Sequence, residues 1–239
     1  MPTESPLRER IERLQNRIHI ACRRAGRNPT EVKLMAVSKT RPASAIQEAA
    51  AAGVLLFGEN RVQEFQQKSA DLKALKIQPE VHLIGHLQSN KAAKAAEIFS
   101  AIDTVDSLRI AQRLNEAAAR LSRTIPILLE IKLSTEETKT GLAPGSPDLS
   151  QLLEQLPKLK NLSMRGLMTV APLDQDPEAA RLCFRSLHTL RDQLAPRHPQ
   201  LDFRELSMGM SGDFEIAIEE GSTLVRIGTA IFGTRTSPA

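Results

Sequence analysis

Apolar and polar positions along the chain alternate between two periods. From residue 5 to 25, Leu7, Ile11, Leu14, Ile18 and Ala21 recur every three or four places, the stripe of an amphipathic helix, and Gly26 and Pro29 close it. The run Val32 to Val37 then changes to a short apolar block between polar residues, as expected of a strand buried on both faces. From there the pattern repeats. Helical stretches at 42–52, 60–73, 90–97, 107–121, 148–156 and 176–194 interleave with strand blocks at 55–57, 82–84, 101–105, 125–133 and 164–167. Two last blocks, Phe203–Ser207 and Leu224–Ile227, precede helical stretches near 213–220 and after 229.

Eight strands, each followed by a helix, predict an α/β fold. The expected architecture is a single (β/α)8 TIM barrel with an extra N-terminal helix, residues 1–239 forming one domain. An open doubly wound sheet is the competing arrangement, because one miscounted strand converts the one reading into the other. Linkers, low-complexity tracts and repeats are absent.

Composition narrows the partners. The 239 residues are 41% hydrophobic and 25% charged, ordinary for a globular protein, and long enough to build a core without disulfides or a structural metal. The net charge is +4, with Lys and Arg scattered, and aromatics are only 3%. Stacking platforms for single-stranded nucleic acid are therefore missing, and a small anion suits the charge better. No apolar run approaches the roughly 18 residues of a membrane span. The charged start MPTESPLRERIERLQNRI does not resemble a signal peptide, and the isolated Cys22 and Cys183 suit a reducing compartment, so a cytoplasmic location is expected.

Barrel chemistry sits past the C-terminal ends of strands. Lys39 follows the first block directly, where an apolar setting lowers an amine's pKa and favours condensation with a carbonyl. A solvated loop lysine is the plainer account. Ser211-Gly212 and Gly228-Thr229 each open a helix after the last two strands, where barrels often bind phosphate; helix capping explains either one taken alone. His82 and His86 have the spacing of a helical zinc pair, yet Gly85 breaks the segment and no carboxylate or cysteine cluster joins them, so no metal site is expected. His86 is placed to line a pocket and His82 to pack within a strand. Neither GxGxxG nor GxxxxGK[ST] occurs.

The motifs AVSKT, FGENRVQE, HLIGHLQSNK, GLMT and LSMGMSGDFEIAIEEGSTLVRIGTAIFG, in this order over residues 5 to 235, resemble the YggS/PROSC family of pyridoxal phosphate homeostasis proteins. That family is similar to the N-terminal barrel of alanine racemase. The resemblance implies pyridoxal 5′-phosphate held as a Schiff base on Lys39. It implies Ser211, Gly228 and Thr229 on the phosphate, with Gly212 giving a backbone donor, and Arg226 facing the pyridine nitrogen. Asn60, His86, Met168 and Ser207 match positions around the ring. An arginine there leaves the ring nitrogen unprotonated and weakens the electron sink.

Three functions compete. A racemase needs two opposed bases, one a tyrosine in alanine racemase, and this sequence has no tyrosine. The chain also stops just past the barrel, so the second racemase domain, and the dimer it builds, are not expected. The leading expectation is a monomeric, non-catalytic carrier in pyridoxal phosphate (vitamin B6) homeostasis and amino-acid/keto-acid balance, with pyridoxal-phosphate-dependent apoenzymes as recipients. An amino-acid racemase-like enzyme, with His86 as the local candidate for a second base, is one alternative. A Schiff-base barrel acting on sugar phosphates is the other.

Overall fold

A computed structural model of the chain describes residues 6–134, 140–172 and 176–234. Among these residues, eight parallel strands close into a barrel in chain order. They are β1 (Lys33–Val37), β2 (Leu56–Glu59), β3 (Glu80–Leu83), β4 (Ala101–Val105), β5 (Ile125–Glu130), β6 (Leu162–Met168), β7 (Glu205–Ser207) and β8 (Leu224–Ile227). The last strand closes on the first, with Lys33 opposite Leu224 and Ala36 opposite Ile227. The barrel is therefore the expected fold, and the open sheet is not. Strand β4 reads AIDTV and β8 reads LVRI, and every position of both is buried. Asp103 and Arg226 are thus inside the molecule, where a charge persists only with partners.

The helices are α1 (Pro6–Arg24), α2 (Ala43–Ala51), α3 (Val62–Ala74), α4 (Ala92–Ile98), α5 (Leu108–Arg120), α6 (Pro147–Gln155), α7 (Pro177–Leu194), α8 (Phe214–Glu219) and α9 (Thr229–Phe232). Helix α1 is the extra N-terminal helix. Its pattern begins at Ser5, outside the described residues, and its buried stripe is Leu7, Ile11, Leu14, Ile18, Ala21 and Cys22. It packs on α8 and α9, with the Arg17 guanidinium 4.8 Å from the Phe214 ring and 3.0 Å from Glu215 Oε1. Arg181 and Arg185 of α7 hold α8 from its other side through Glu219 and Glu220.

Six strands differ from the sequence pattern at their ends, the first starting one residue late at Lys33 and the sixth widened to Leu162–Met168. The second runs 56–59 and not 55–57: Leu55 is exposed, while Gly58 and Glu59 are buried. The third starts at Glu80, two residues early. The fifth stops at Glu130, and Ile131 makes only an isolated bridge to Leu142. The seventh is shortened to Glu205–Ser207.

Candidate functional site

Loops that leave parallel strands gather at one mouth of a barrel, so residues remote in sequence meet there. Lys39 stands two residues past β1. Its turn is closed by the Arg41 N–H donating to the Ser38 carbonyl at 3.0 Å, with Lys39 and Thr40 between them. Ser38 is fully buried and Lys39 half-buried. Thr40 has a φ of 63°, a conformation that a β-branched residue keeps only when its neighbours hold it there.

Those neighbours come from β2 and α3. The Thr40 N–H donates to Glu64 Oε1 at 2.5 Å. Lys68 Nζ donates to the Ser38 carbonyl at 3.0 Å and to Glu59 Oε1 at 2.6 Å. The Ser38 hydroxyl donates to the same Glu59 oxygen at 2.6 Å. Glu59 and Lys68 are both buried, and Glu59 Oε2 has no hydrogen-bond partner among the described residues. Burial pushes the Glu59 carboxyl above the usual range, against the pull of Lys68 and Ser38.

On the other side of β1 lies β8. Pairing of Ala36 with Ile227 brings Gly228 alongside Val37, close enough that a Cβ on Gly228 would lie 3.5 Å from Val37 Cβ. Past it, the Ala230 N–H in the first turn of α9 donates to Ser211 Oγ at 3.3 Å, joining the loops that follow β7 and β8. Neither α8 nor α9 is capped by its own N-cap side chain. Ser211 serves the neighbouring helix, and Asp213 turns back to accept from the Met210 N–H at 2.5 Å. The first turn of α9 is therefore served from the loop that follows β7 and not by its own N-cap side chain. Gly212 and Thr229 are exposed at this edge, and Ser211 and Gly228 partly so.

Arg226 is buried beneath them. Its Nη1 donates to the Ser207 carbonyl and to Ser207 Oγ, both at 2.7 Å, and its Nη2 to the Thr169 carbonyl at 2.7 Å. Burial lowers its pKa, and the carboxylates of Asp103, Asp213 and Glu130 oppose that. A guanidinium so surrounded stays charged. Ser207 is paired in register with Met168, and both are buried at the ends of their strands.

Asn60 and His86 line a shallow pocket of about 380 Å³ together with Arg61, Gln88 and Lys91. Asn60 Oδ1 is buried without a partner among the described residues. The loops after β2 and β3 touch here only because residue 85 is glycine: a Cβ on Gly85 would lie 2.2 Å from the Asn60 carbonyl oxygen. His86 is exposed, with Nδ1 3.2 Å from Asp106 Oδ2. Glu130, at the end of β5, accepts from Thr140 Oγ1 at 3.0 Å, and its second oxygen has no hydrogen-bond partner among the described residues. Its pKa is raised, first by burial and also by Asp106, against the opposing pull of Thr140, His86 and Arg226.

His82 does not converge with His86. Its Nδ1 lies 3.0 Å from Asp103 Oδ1 and its Nε2 3.2 Å from Glu80 Oε1. Only the imidazolium can donate from both nitrogens. Burial opposes that charge, but the two carboxylates outweigh it and push the pKa up to about 10. Among the described residues no group of three His, Cys, Asp or Glu side chains is arranged to hold a metal. A larger recess, about 930 Å³, opens at the opposite end of the barrel. Its charges are matched internally, Lys33 with Glu205 at 3.4 Å and Arg204 with Asp202 at 2.7 Å, so it makes little demand on a ligand.

The structure thus brings Lys39, Gly228, Thr229, Ser211 and Gly212 to one side of the mouth, with Arg226, Ser207 and Met168 beneath. Asn60 and His86 lie beyond Lys39, around β2 and β3. Sequence reasoning assigned no role to Glu59, Glu64, Lys68, Asp106 or Glu130. Lys68 carried a usable signal, since it interrupts the buried stripe Val62, Phe65, Leu72 of α3.

Residues 10–236 match the family described as alanine racemase, N-terminal domain. The pyridoxal phosphate homeostasis protein of Aquifex aeolicus is 42% identical over 227 residues, covering 95% of this chain and 97% of that one. This chain is a member of the pyridoxal phosphate homeostasis protein family. The family's protein from Pseudomonas aeruginosa is 43% identical over 231 residues, covering 97% and 96%. PipY of Synechococcus elongatus, solved with PLP bound, has a TM-score of 0.84 at 42% identity, over 95% of this chain and all 100% of its own. An alanine racemase from Clostridium difficile shares the barrel at 18% identity and a TM-score of 0.71, with 57% of its length matched.

Proposed function

We propose that this chain binds pyridoxal 5′-phosphate as a Schiff base on Lys39 and serves pyridoxal phosphate homeostasis and amino-acid/keto-acid balance by holding and releasing the cofactor without catalysis. Residues 1–239 act as one domain, monomeric and cytoplasmic, and the recipients are pyridoxal-phosphate-dependent apoenzymes. The observation that carries this reading is the closure of the barrel, which sets the Lys39 turn beside the Gly228–Thr229 loop, itself joined to Ser211.

The residues fit the group. The Ser211 and Thr229 hydroxyls and the backbone of Gly212 and Gly228 take the phosphate at the exposed edge. Arg226 presents its guanidinium to the ring nitrogen, oriented by Ser207 and the Thr169 carbonyl. Met168 of β6 would border the ring, and Asn60, whose buried oxygen has no partner among the described residues, and His86 would border it from the far side. When bound, the cofactor supplies an aldehyde reactive towards amines and a ring whose electron demand depends on protonation at nitrogen. A permanently charged donor at that nitrogen keeps the proton off the ring, which disfavours carbanion chemistry and favours storage. The exposure of His86, Gly212 and Thr229 at the mouth suits a cofactor that is exchanged.

A visible absorption spectrum before and after Lys39→Ala tests the attachment. A Schiff-base band present in the parent and absent in a folded variant supports it; a parent that stays colourless with added pyridoxal phosphate overturns it and brings the sugar-phosphate reading forward. The His86–Asp106 pair, a base with an orienting carboxylate, is an arrangement that favours a racemase-like enzyme. Solvent deuterium entering the α-position of an amino acid would establish that activity, and no exchange across a broad panel would remove it.

A further inference from the structure

The two residues that flank Lys39 are held by charged groups that the cofactor site does not otherwise use. Lys68 and Glu59 form a buried pair, and a buried pair is a poor investment in stability: apolar replacements of similar volume are often neutral or stabilising. Here the pair reaches the Ser38 carbonyl and hydroxyl, while Glu64, 3.4 Å from Lys68 Nζ, takes the N–H of Thr40. Thr40 is the residue with positive φ. Without those contacts its backbone would relax to a more common conformation, and the position of Lys39 beside it would shift.

We propose that Glu59, Glu64 and Lys68 are positioning residues: a clamp from β2 and α3 that fixes the strained turn so that the Lys39 amine is placed to attack an aldehyde. The proposal rests on the cofactor-binding function given above for its biological meaning. Its physical content is separate. In the attack the neutral amine nitrogen bonds to the aldehyde carbon, and the carbonyl oxygen leaves as water with both amine protons, giving a C=N bond. What the clamp governs is the position of the amine before that bond forms.

The test uses two aldehydes. Reductive methylation with formaldehyde and cyanoborohydride, quantified at the Lys39 peptide by mass spectrometry, reads the placement of the amine without the natural cofactor. Stopped-flow absorbance after adding pyridoxal phosphate to apoprotein reads the natural reaction. Glu64→Ala removes the acceptor for the Thr40 N–H and should slow both about tenfold, since small displacements of a reacting group cost rates of that order or more. Glu64→Gln keeps an amide oxygen that can accept the same bond and should restore most of the rate. The double variant Glu59→Leu with Lys68→Met removes the buried pair together, so that no lone charge is left inside, and should be slow while melting no lower than the parent.

Rates equal to the parent in both Glu64→Ala and the double variant overturn the clamp. Should the double variant fail to fold, the partly exposed Glu64 pair of variants decides alone. A parent whose Lys39 methylation responds to the clamp but which forms no band with pyridoxal phosphate supports the clamp and removes the function. A parent with the band, whose variants react unchanged, does the reverse.

Discussion

Gly85 and His82 show how single positions constrain this barrel. At Gly85 the requirement is space, because any Cβ would collide with the Asn60 backbone. Gly85→Ala is expected to cost about 2–3 kcal/mol, the penalty of overpacking a site that cannot yield, read from the shift of a urea unfolding curve. An unchanged curve would show that the loops after β2 and β3 move apart freely. At His82 the requirement is charge. The folded pKa of about 10 stands above the ordinary histidine value, so the imidazolium's contribution is complete below about pH 6.5 and is lost as pH rises towards 10. Unfolding free energies taken across pH 6 to 10 should fall for the parent, and His82→Gln should flatten that fall. A parent whose stability is level over this window contradicts the charged assignment.

At the scale of elements, the last two loops act as one piece because Ser211 bonds to the first turn of α9, and α1 backs both α8 and α9. Ser211→Ala should weaken pyridoxal phosphate binding about tenfold, the equivalent of one hydrogen bond to a charged group, while leaving the binding of pyridoxal, which lacks the phosphate, nearly unchanged. Equal losses for both would place Ser211 away from the phosphate. This junction was half legible in the sequence: Ser-Gly and Gly-Thr past the last two strands marked both loops, but the contact between them depends on barrel closure. The strands were legible because burial on both faces gives continuous apolar runs. Their ends were misread where Gly58, Glu59 and Glu80 extend a strand with residues that resemble a turn. The clamp behind Lys39 was not legible as a unit. Its members look like solvated charges unless Lys68 is noticed in the apolar stripe of α3, and Glu59 is buried only because Lys68 and Ser38 meet it.

Across the whole molecule, charge is placed inside the barrel in two groups. His82 and Asp103 form the lower one, with the exposed Glu80 at its outer edge; Arg226 forms the upper one at the mouth, with Asp213 and Glu130 among the carboxylates that act on it. Asp103 belongs to both, since it bonds His82 and also acts on Arg226. The apolar shell of helices and strand faces gives the fold, and this interior charge fixes a cation below the mouth, where the proposed cofactor ring would lie. The proposed site has a lysine on a strained turn, a joined pair of loops that would take the phosphate, and a buried guanidinium that would face the ring nitrogen. The account stands or falls on the lysine. Borohydride reduction of the protein loaded with pyridoxal phosphate, followed by peptide mapping, tests it most directly. The account predicts a phosphopyridoxyl mass increment on the peptide containing Lys39 at close to one per chain. An increment spread over surface lysines, with the Lys39 peptide unmodified, would contradict it.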